Sequence, residues 1–276
     1  MAASTSRLLL AILMIGAGCR PHRAETSGST PVRLAKWKGG HRAAISVTYD
    51  NGDFVSAVQA PVQDAIVALG VRVDFELVTG SISDAKLERM RWLEAHQLGF
   101  FGHGALHVNH DRLSPAEARR SARSCYETMQ SLGLKPVAFA YPTGHASRPS
   151  TRDAVREAGF LGARIFRASS RRDPYIVPDG LTEPEDWFTL PTLVIMGRQS
   201  DPNDNAINDT EELRPYLDEA LARGAWIITT YHSINKPGAY GYYPLDSFVS
   251  DLRAILARDL WAGSINDVTL YVRERA

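Results

Sequence analysis

Asp50 closes an apolar run, Ala43-Ala44-Ile45-Ser46-Val47, and opens the turn Asp50-Asn51-Gly52. His103 and His107 stand four apart just after a second short apolar run, Leu98–Phe101. A carboxylate beside two imidazoles is a set that can activate water. The imidazoles hold a divalent transition ion, the ion makes the water more acidic, and the carboxylate takes its proton. A third histidine, His232, ends the run Trp226–Tyr231. Imidazole titrates near neutrality, which suits it to protonate a leaving group. Taken singly, each residue has a plainer explanation. Asp-Asn-Gly is a ready turn former, and paired or lone histidines are common on surfaces and in cores. What sets them apart is that each follows the end of an apolar run. Gly102 and Gly104 flank the first histidine and are expected to leave room for an ion.

Those runs alternate with amphipathic stretches. Ala43–Tyr49, Val71–Val78, Leu98–Phe101, Pro136–Tyr141, Leu161–Phe166, Trp187–Ile195 and Ala225–Tyr231 read as strands. Between and after them, Val58–Leu69, Ser83 to Ala95, Ser114 to Leu132, Ser150–Ala158, Thr210–Arg223, Asp246–Arg258 and Ile265–Arg275 read as helices. The clearest helix start is Ser114-Pro115-Ala116-Glu117, with Ser as cap, Pro in the first turn and Glu at the third position. Gly70, Gly133, Gly159 and Gly224 each follow a helical stretch as stop signals. Arg167–Pro184 and Asp201–Asp209 read as loops. Repeated strand–helix units imply an α/β fold with a mainly parallel sheet. Asp50, His103, Tyr141 and His232 then all lie after strand C-terminal ends, where parallel α/β barrels build their sites.

From Ala43 to the C-terminus, this order and spacing resembles the NodB-type polysaccharide deacetylases, carbohydrate esterase family 4. The resemblance implies an incomplete barrel of about seven strand–helix units, a NodB-like (β/α)7 fold. It implies Asp50 as general base, His103 and His107 as metal ligands, and His232 as the acid that protonates the leaving amine. The implied cofactor is a divalent transition metal: zinc, or else cobalt, nickel or iron. The family usually reads Thr-Phe-Asp-Asp-Gly, with the second Asp on the metal, whereas this chain reads Thr48-Tyr49-Asp50-Asn51-Gly52. Three outcomes follow for Asn51. It ligates the metal as a neutral amide, another carboxylate takes its place (Asp53, Asp74 or Glu76), or the site holds no metal. Asp74 and Glu76 share one side of a strand, and two acids in an apolar run are costly to bury without partners.

Phe139-Ala140-Tyr141-Pro142-Thr143-Gly144 occupies the place of the family's third motif. The arginine that orients the base there is absent. Tyr141 and Pro142 are expected to line the substrate groove, and the backbone N–H after Tyr141 resembles the family's oxyanion donor. Tyr240 lies in the aromatic, glycine-rich stretch Gly238–Tyr243, which reads equally well as a platform for sugar rings or as ordinary loop packing. The implied activity is removal of N-acetyl groups from a polysaccharide or oligosaccharide, hydrolysis of a carbon–nitrogen bond other than a peptide bond. The alternatives are a catalytically inactive carbohydrate-binding pseudoenzyme, and an O-acetyl esterase or cyclic-amide hydrolase on the same fold.

Composition bounds the rest. Lys plus Arg and Asp plus Glu number 31 each, for zero net charge, so charge gives no sign of a nucleic-acid partner. Two cysteines, Cys19 and Cys125, exclude a disulfide scaffold and multi-cysteine zinc sites. Arg7, the apolar run Leu8–Ile15 and Gly16-Ala17-Gly18-Cys19 describe a secretory signal over 1–19. The small residues before Cys19 resemble a bacterial lipobox, which implies a lipid anchor on that residue. Residues 20–36 read as a flexible tether and 37–276 as the deacetylase-like domain. The expected location is the cell envelope, as a secreted lipoprotein of a bacterial periplasm or outer surface.

Overall fold

The computed structural model describes residues 37–50, 54–166, 173–176, 184, 186–198 and 206–275. The leader, Cys19 and the tether lie outside the described residues, as do Asn51, Asp53 and most of the 167–184 loop. No described helix is long and apolar enough to cross a membrane.

The strands are β1 (Ala43–Tyr49), β2 (Val73–Leu77), β3 (Gly99–Gly102), β4 (Ala138–Ala140), β5 (Gly162–Arg164), β6 (Leu193–Ile195), β7 (Trp226–Tyr231), β8 (Ser233–Ile234), β9 (Tyr242–Tyr243) and β10 (Leu260–Ala262). The helices are α1 (Ala60–Leu69), α2 (Asp84–Ala95), α3 (Pro115–Ser131), α4 (Pro149–Ala158), α5 (Thr210–Arg223), α6 (Leu245–Leu256) and α7 (Ile265–Arg273). The main sheet runs β5-β4-β3-β2-β1-β7-β6, with every pairing parallel. Crossover helices link strands that all point one way, so the strand ends that carry chemistry share one face. The sheet curls. Arg164 at the end of β5 bridges in parallel to Leu190, which leads into β6 at the opposite edge. Thr192 Oγ1 adds bonds to the carbonyls of Ile165 and Phe166 across the same seam. The result is the expected incomplete (β/α)7 barrel.

β1 is the hub, with all seven residues buried. It pairs with β7 along one edge. Along its other edge, Val47–Tyr49 pair with β2, and Ala43–Ile45 pair with β10. Alternation puts Ser46, Thr48 and Asp50 on the interior side and Val47 and Tyr49 on the helix side. Outside the barrel, Tyr49, Phe54, Phe75 and Phe100 form a run of ring contacts 5.6–6.4 Å between centroids. Inside it, polar side chains find partners: Trp226 Nε1 donates to Ser46 Oγ, and Thr48 Oγ1 donates to the Thr229 backbone carbonyl.

The capping box at Ser114 and Glu117 is formed, and Gly70 (φ 66°) and Gly159 (φ 115°) end α1 and α4 in left-handed conformations. One expected strand is mostly something else. Of Trp187–Ile195 only β6 is extended, because the Asp186 carboxylate accepts from Phe188 N and Thr189 Oγ1 and turns the chain there. β10 adds a strand that the sequence pattern does not announce.

Candidate functional site

The strand ends surround one cavity of about 360 Å³ on the C-terminal face. Asp50, Glu76, His103 and His107 contribute its ionisable wall, together with His232; Phe166 and Tyr240 contribute rings.

Asp50 is held by its backbone first: its N–H donates to Tyr231 O at 2.8 Å, extending the β1–β7 ladder past the last paired residue. Its carboxylate receives a hydrogen bond from Arg164 Nη2, and both side chains are almost fully buried. Arg164 stands at the end of β5, four positions along the sheet from β1. The two meet only because the sheet curls. The guanidinium also lies over the Phe101 ring, 4.9 Å from its centroid, and its Nε has no hydrogen-bond partner among the described residues. An arginine thus bonds Asp50 after all: the third motif has none, and the guanidinium comes from the end of the next strand, β5. The signal was present in the sequence: a lone charge in the apolar run Leu161–Phe166 must find a buried partner.

His103 follows β3 directly, and its N–H donates to Leu77 O. Its ring is fixed at both nitrogens. Nδ1 lies 3.0 Å from Ala140 O, and Nε2 lies 3.1 Å from Glu76 Oε2. Burial, above all, holds the imidazole well below its ordinary pKa. The neighbouring His107 and Arg164 add to that, and the bond to Ala140 O opposes it. The Ala140 carbonyl can only accept, so Nδ1 carries a hydrogen. His107 is exposed at the surface turn beside it, with ring centroids 5.0 Å apart.

The loop carrying His107 is latched to the loop after β2: Thr79 N bonds Gly104 O, and Gly80 N bonds Ala105 O at 2.7 Å. A Cβ at Gly80 would sit 2.2 Å from that same carbonyl oxygen, so the latch needs glycine. Gly102 and Gly104 do not serve as room for an ion. A Cβ at Gly102 would strike the Phe160 ring at 2.7 Å, and Gly104 has φ 83° with the His110 ring 3.0 Å from its Cβ position. His110 is buried, with Nε2 3.1 Å from Ser121 Oγ, which in turn accepts from Ala105 N. It buttresses the loop from beneath.

His232 follows β7. Its Nδ1 lies 3.0 Å from Ser233 Oγ, and its ring meets Tyr240 edge-on at 5.2 Å. Burial lowers its pKa, and the nearby Asp50 carboxylate partly offsets that. A Cβ at Gly241 would lie 2.7 Å from the His232 Cβ, so glycine there lets the loop close over the histidine. Tyr240 is 54% exposed at the cavity, 6.4 Å from Phe166. Phe166, Thr143 and Gly144 are cavity residues that the sequence reading did not single out.

Two expectations about the third motif change. Tyr141 does line the cavity, but its ring is buried and its hydroxyl donates to Phe188 O at 3.0 Å. Pro142 is buried and not part of the wall. Having no N–H, it is not an oxyanion donor. The first amide after Tyr141 is that of Thr143, a cavity residue with φ 63°.

Among the described residues, no three His, Cys, Asp or Glu side chains form a group arranged to hold an ion. His103 and His107 are donors of a type that suits a divalent transition ion, but no third ligand is grouped with them among the described residues.

No protein-family model matches the chain, and no curated protein matches it. Solved structures do share its fold. A candidate polysaccharide deacetylase from Mycobacterium smegmatis superposes with a TM-score of 0.61 at 17% identity, covering 86% of this chain and 92% of that one. A family 4 carbohydrate esterase from Streptomyces lividans, in complex with acetate, gives 0.53 at 13% identity over 82% and 94%. A mutant, with restored activity, of a family 4 pseudoenzyme from Bacillus anthracis gives 0.51 at 12% over 82% and 67%. The fold of this chain is thus the one found in family 4 carbohydrate esterases, active and inactive.

Proposed function

We propose that this chain is a metal-dependent hydrolase that removes N-acetyl groups from a carbohydrate of the cell envelope. The observation that supports it most is the cavity itself, where the Arg164-paired Asp50 shares a wall with His103, His107 and His232. A divalent ion at His103 and His107 would polarise the water and the acyl carbonyl. Asp50 takes the proton from the attacking water, and its bond from Arg164 fixes which carboxylate oxygen points where. The Thr143 amide supplies a backbone donor for the developing oxyanion. His232 delivers a proton to the departing amine nitrogen. Phe166 and Tyr240 offer ring faces against which a sugar can stack.

The test is acetate release from N-acetylated oligosaccharides, run beside acetylated xylan and cyclic amides to separate the amide, ester and imide activities. Asp50→Ala should abolish release while circular dichroism shows the fold intact. Unchanged turnover would refute Asp50 as base. Asn51 favours a second reading, a carbohydrate-binding protein without catalysis, because an amide there removes a charge from the metal site. Binding of chito-oligomers with no acetate release from any of the three substrates would establish it. The lipid anchor at Cys19 belongs to the same proposal and rests on the leader sequence.

A further inference from the structure

We propose that Ser233 is the positioning residue of the acid: its hydroxyl fixes the angle at which the His232 ring delivers a proton to the departing amine. The inference rests on the hydrolase reading above and adds a residue to it.

The backbone after β7 is pinned residue by residue. Ser233 N donates to Gly241 O at 3.2 Å, and Asn235 N donates to Tyr243 O at 2.9 Å. Between them, Ile234 is clamped from both sides. Its N–H donates to Tyr49 Oη at 3.2 Å, and its carbonyl accepts from Gln59 Nε2 at 3.2 Å. Tyr49 Oη in turn donates to Gln59 Oε1 at 2.6 Å, which closes the ring of bonds. Both of these side chains are buried, one at the end of β1 and one just before α1. Ser233 is itself only 3% exposed. Its side chain has a single heavy-atom torsion, so on a backbone held this firmly its Oγ has a set place.

That place is 3.0 Å from His232 Nδ1. Phe166 and Tyr240 meet the imidazole edge-on and confine it, and the bond to Ser233 sets its rotation. A hydroxyl suits an acid in this position better than a carboxylate does. Serine Oγ accepts from Nδ1–H while the ring is charged, and it accepts from or donates to Nδ1 once the ring is neutral. It therefore holds the ring both before and after the proton leaves. A carboxylate can only accept, favours the charged ring and holds the proton back. Burial has the largest influence on the protonation of His232 and lowers its pKa, and the charges of His107 and Lys236 act in the same direction. Asp50 and a bond to the Tyr240 backbone act in the opposite one.

The experiment compares wild type, Ser233→Ala and Ser233→Asp, each as the full chain with zinc(II) supplied. Acetate release from N-acetylated oligosaccharide gives kcat and KM across neutral pH. Proton NMR follows the titration of the His232 ring, identified by its absence from His232→Gln. Ser233→Ala should lose at least about 5-fold in kcat with KM within about 2-fold, a modest share of the roughly 10²–10⁴-fold that a positioned acid contributes. Ser233→Asp should raise the His232 pKa by about one unit or more, as an opposite charge at that range does. The fall of kcat at high pH should move upward with it. A smaller kcat loss in Ser233→Ala, or a loss carried by KM, overturns Ser233 as positioning residue, while normal wild-type turnover leaves the hydrolase reading standing. A folded Ser233→Asp with an unmoved His232 titration overturns it too. If circular dichroism shows that Ser233→Asp does not fold, Ser233→Ala alone decides. No acetate from wild type on any of the three substrates overturns the hydrolase reading, and the acid with it.

Discussion

Arg164 and Asp50 are each 5% exposed or less at the side chain and are bonded to each other, so removing either leaves the other charged and alone in the interior. Breaking a buried pair from one side costs about 3–5 kcal/mol. Arg164→Met is therefore expected to lower stability by about that much in urea unfolding and to abolish acetate release. An unchanged urea midpoint would show that solvent or another residue takes over the carboxylate. Asp50, His103 and His232 were legible because a polar residue after an apolar run is visible in one dimension. Arg164 was not found, although it is just as anomalous in its own run. The third motif Phe139–Gly144 is where an arginine was expected, whereas the curl of the sheet brings the end of β5 to Asp50. The glycines beside His103 mislead for a related reason. They answer to Phe160 and His110, neighbours that no local reading sees.

At the scale of the element, Asp111 ties the loop before α4 to the turn after His107. Its carboxylate accepts from Ser147 N and Oγ, Arg148 N and Thr151 Oγ1. Burial alone would raise its pKa, but these four donors outweigh it and the carboxyl lies below its ordinary range. A depressed acid contributes stability above its unfolded pKa and loses it as pH falls through the folded one. Asp111→Ala should cost about 1–2 kcal/mol at neutral pH, as a lost helix cap does. The deficit should shrink as the pH falls below about 4, since the wild-type carboxyl then protonates too. Chemical unfolding of both proteins at pH 7 and pH 3 measures this, and equal deficits at the two values would disprove it. Helix ends were the most legible elements, because caps and glycines are local chemistry. Trp187–Ile195 was over-read because apolar letters hide the turn that Asp186 imposes. β10 was missed because three residues between Asp259 and Gly263 carry too short a pattern.

At the scale of the whole barrel, Asp74 is a charge that resists burial. Asp74 is wholly inaccessible on the interior side of β2, where its Oδ2 accepts from Ile265 N at 2.5 Å at the start of α7. Its Oδ1 has no hydrogen-bond partner among the described residues. Burial, partly countered by the Ile265 bond and the charge of Arg72, pushes its pKa up to about 7. A raised acid binds its proton more tightly in the folded state, so folding stability falls as pH rises from about 4 to 7. Asp74→Asn keeps an acceptor for Ile265 and removes the charge. Relative to wild type, it should gain on the order of 3 kcal/mol between pH 4 and pH 8. Parallel urea titrations at the two pH values decide it, and a pH-independent difference would refute the buried charge. The parallel barrel itself was legible from strand–helix alternation. The way its two ends close was not, because β10 and α7 meet β1 and β2 through contacts between the first and last parts of the chain.

The pairing of β1 sets an order of events during synthesis. Ala43–Ile45 are made long before their partners Leu260–Ala262. Trp226–Tyr231, along the other edge, are also late. Through most of translation the central strand has only β2 to pair with, and its apolar face and backbone edge stay open to other chains. Any cell that makes this protein must keep the nascent chain from premature pairing until Trp226–Tyr231 and Leu260–Ala262 have been made. Holding factors that bind extended apolar segments would suit that need, and so would release of the finished chain into another compartment before it folds.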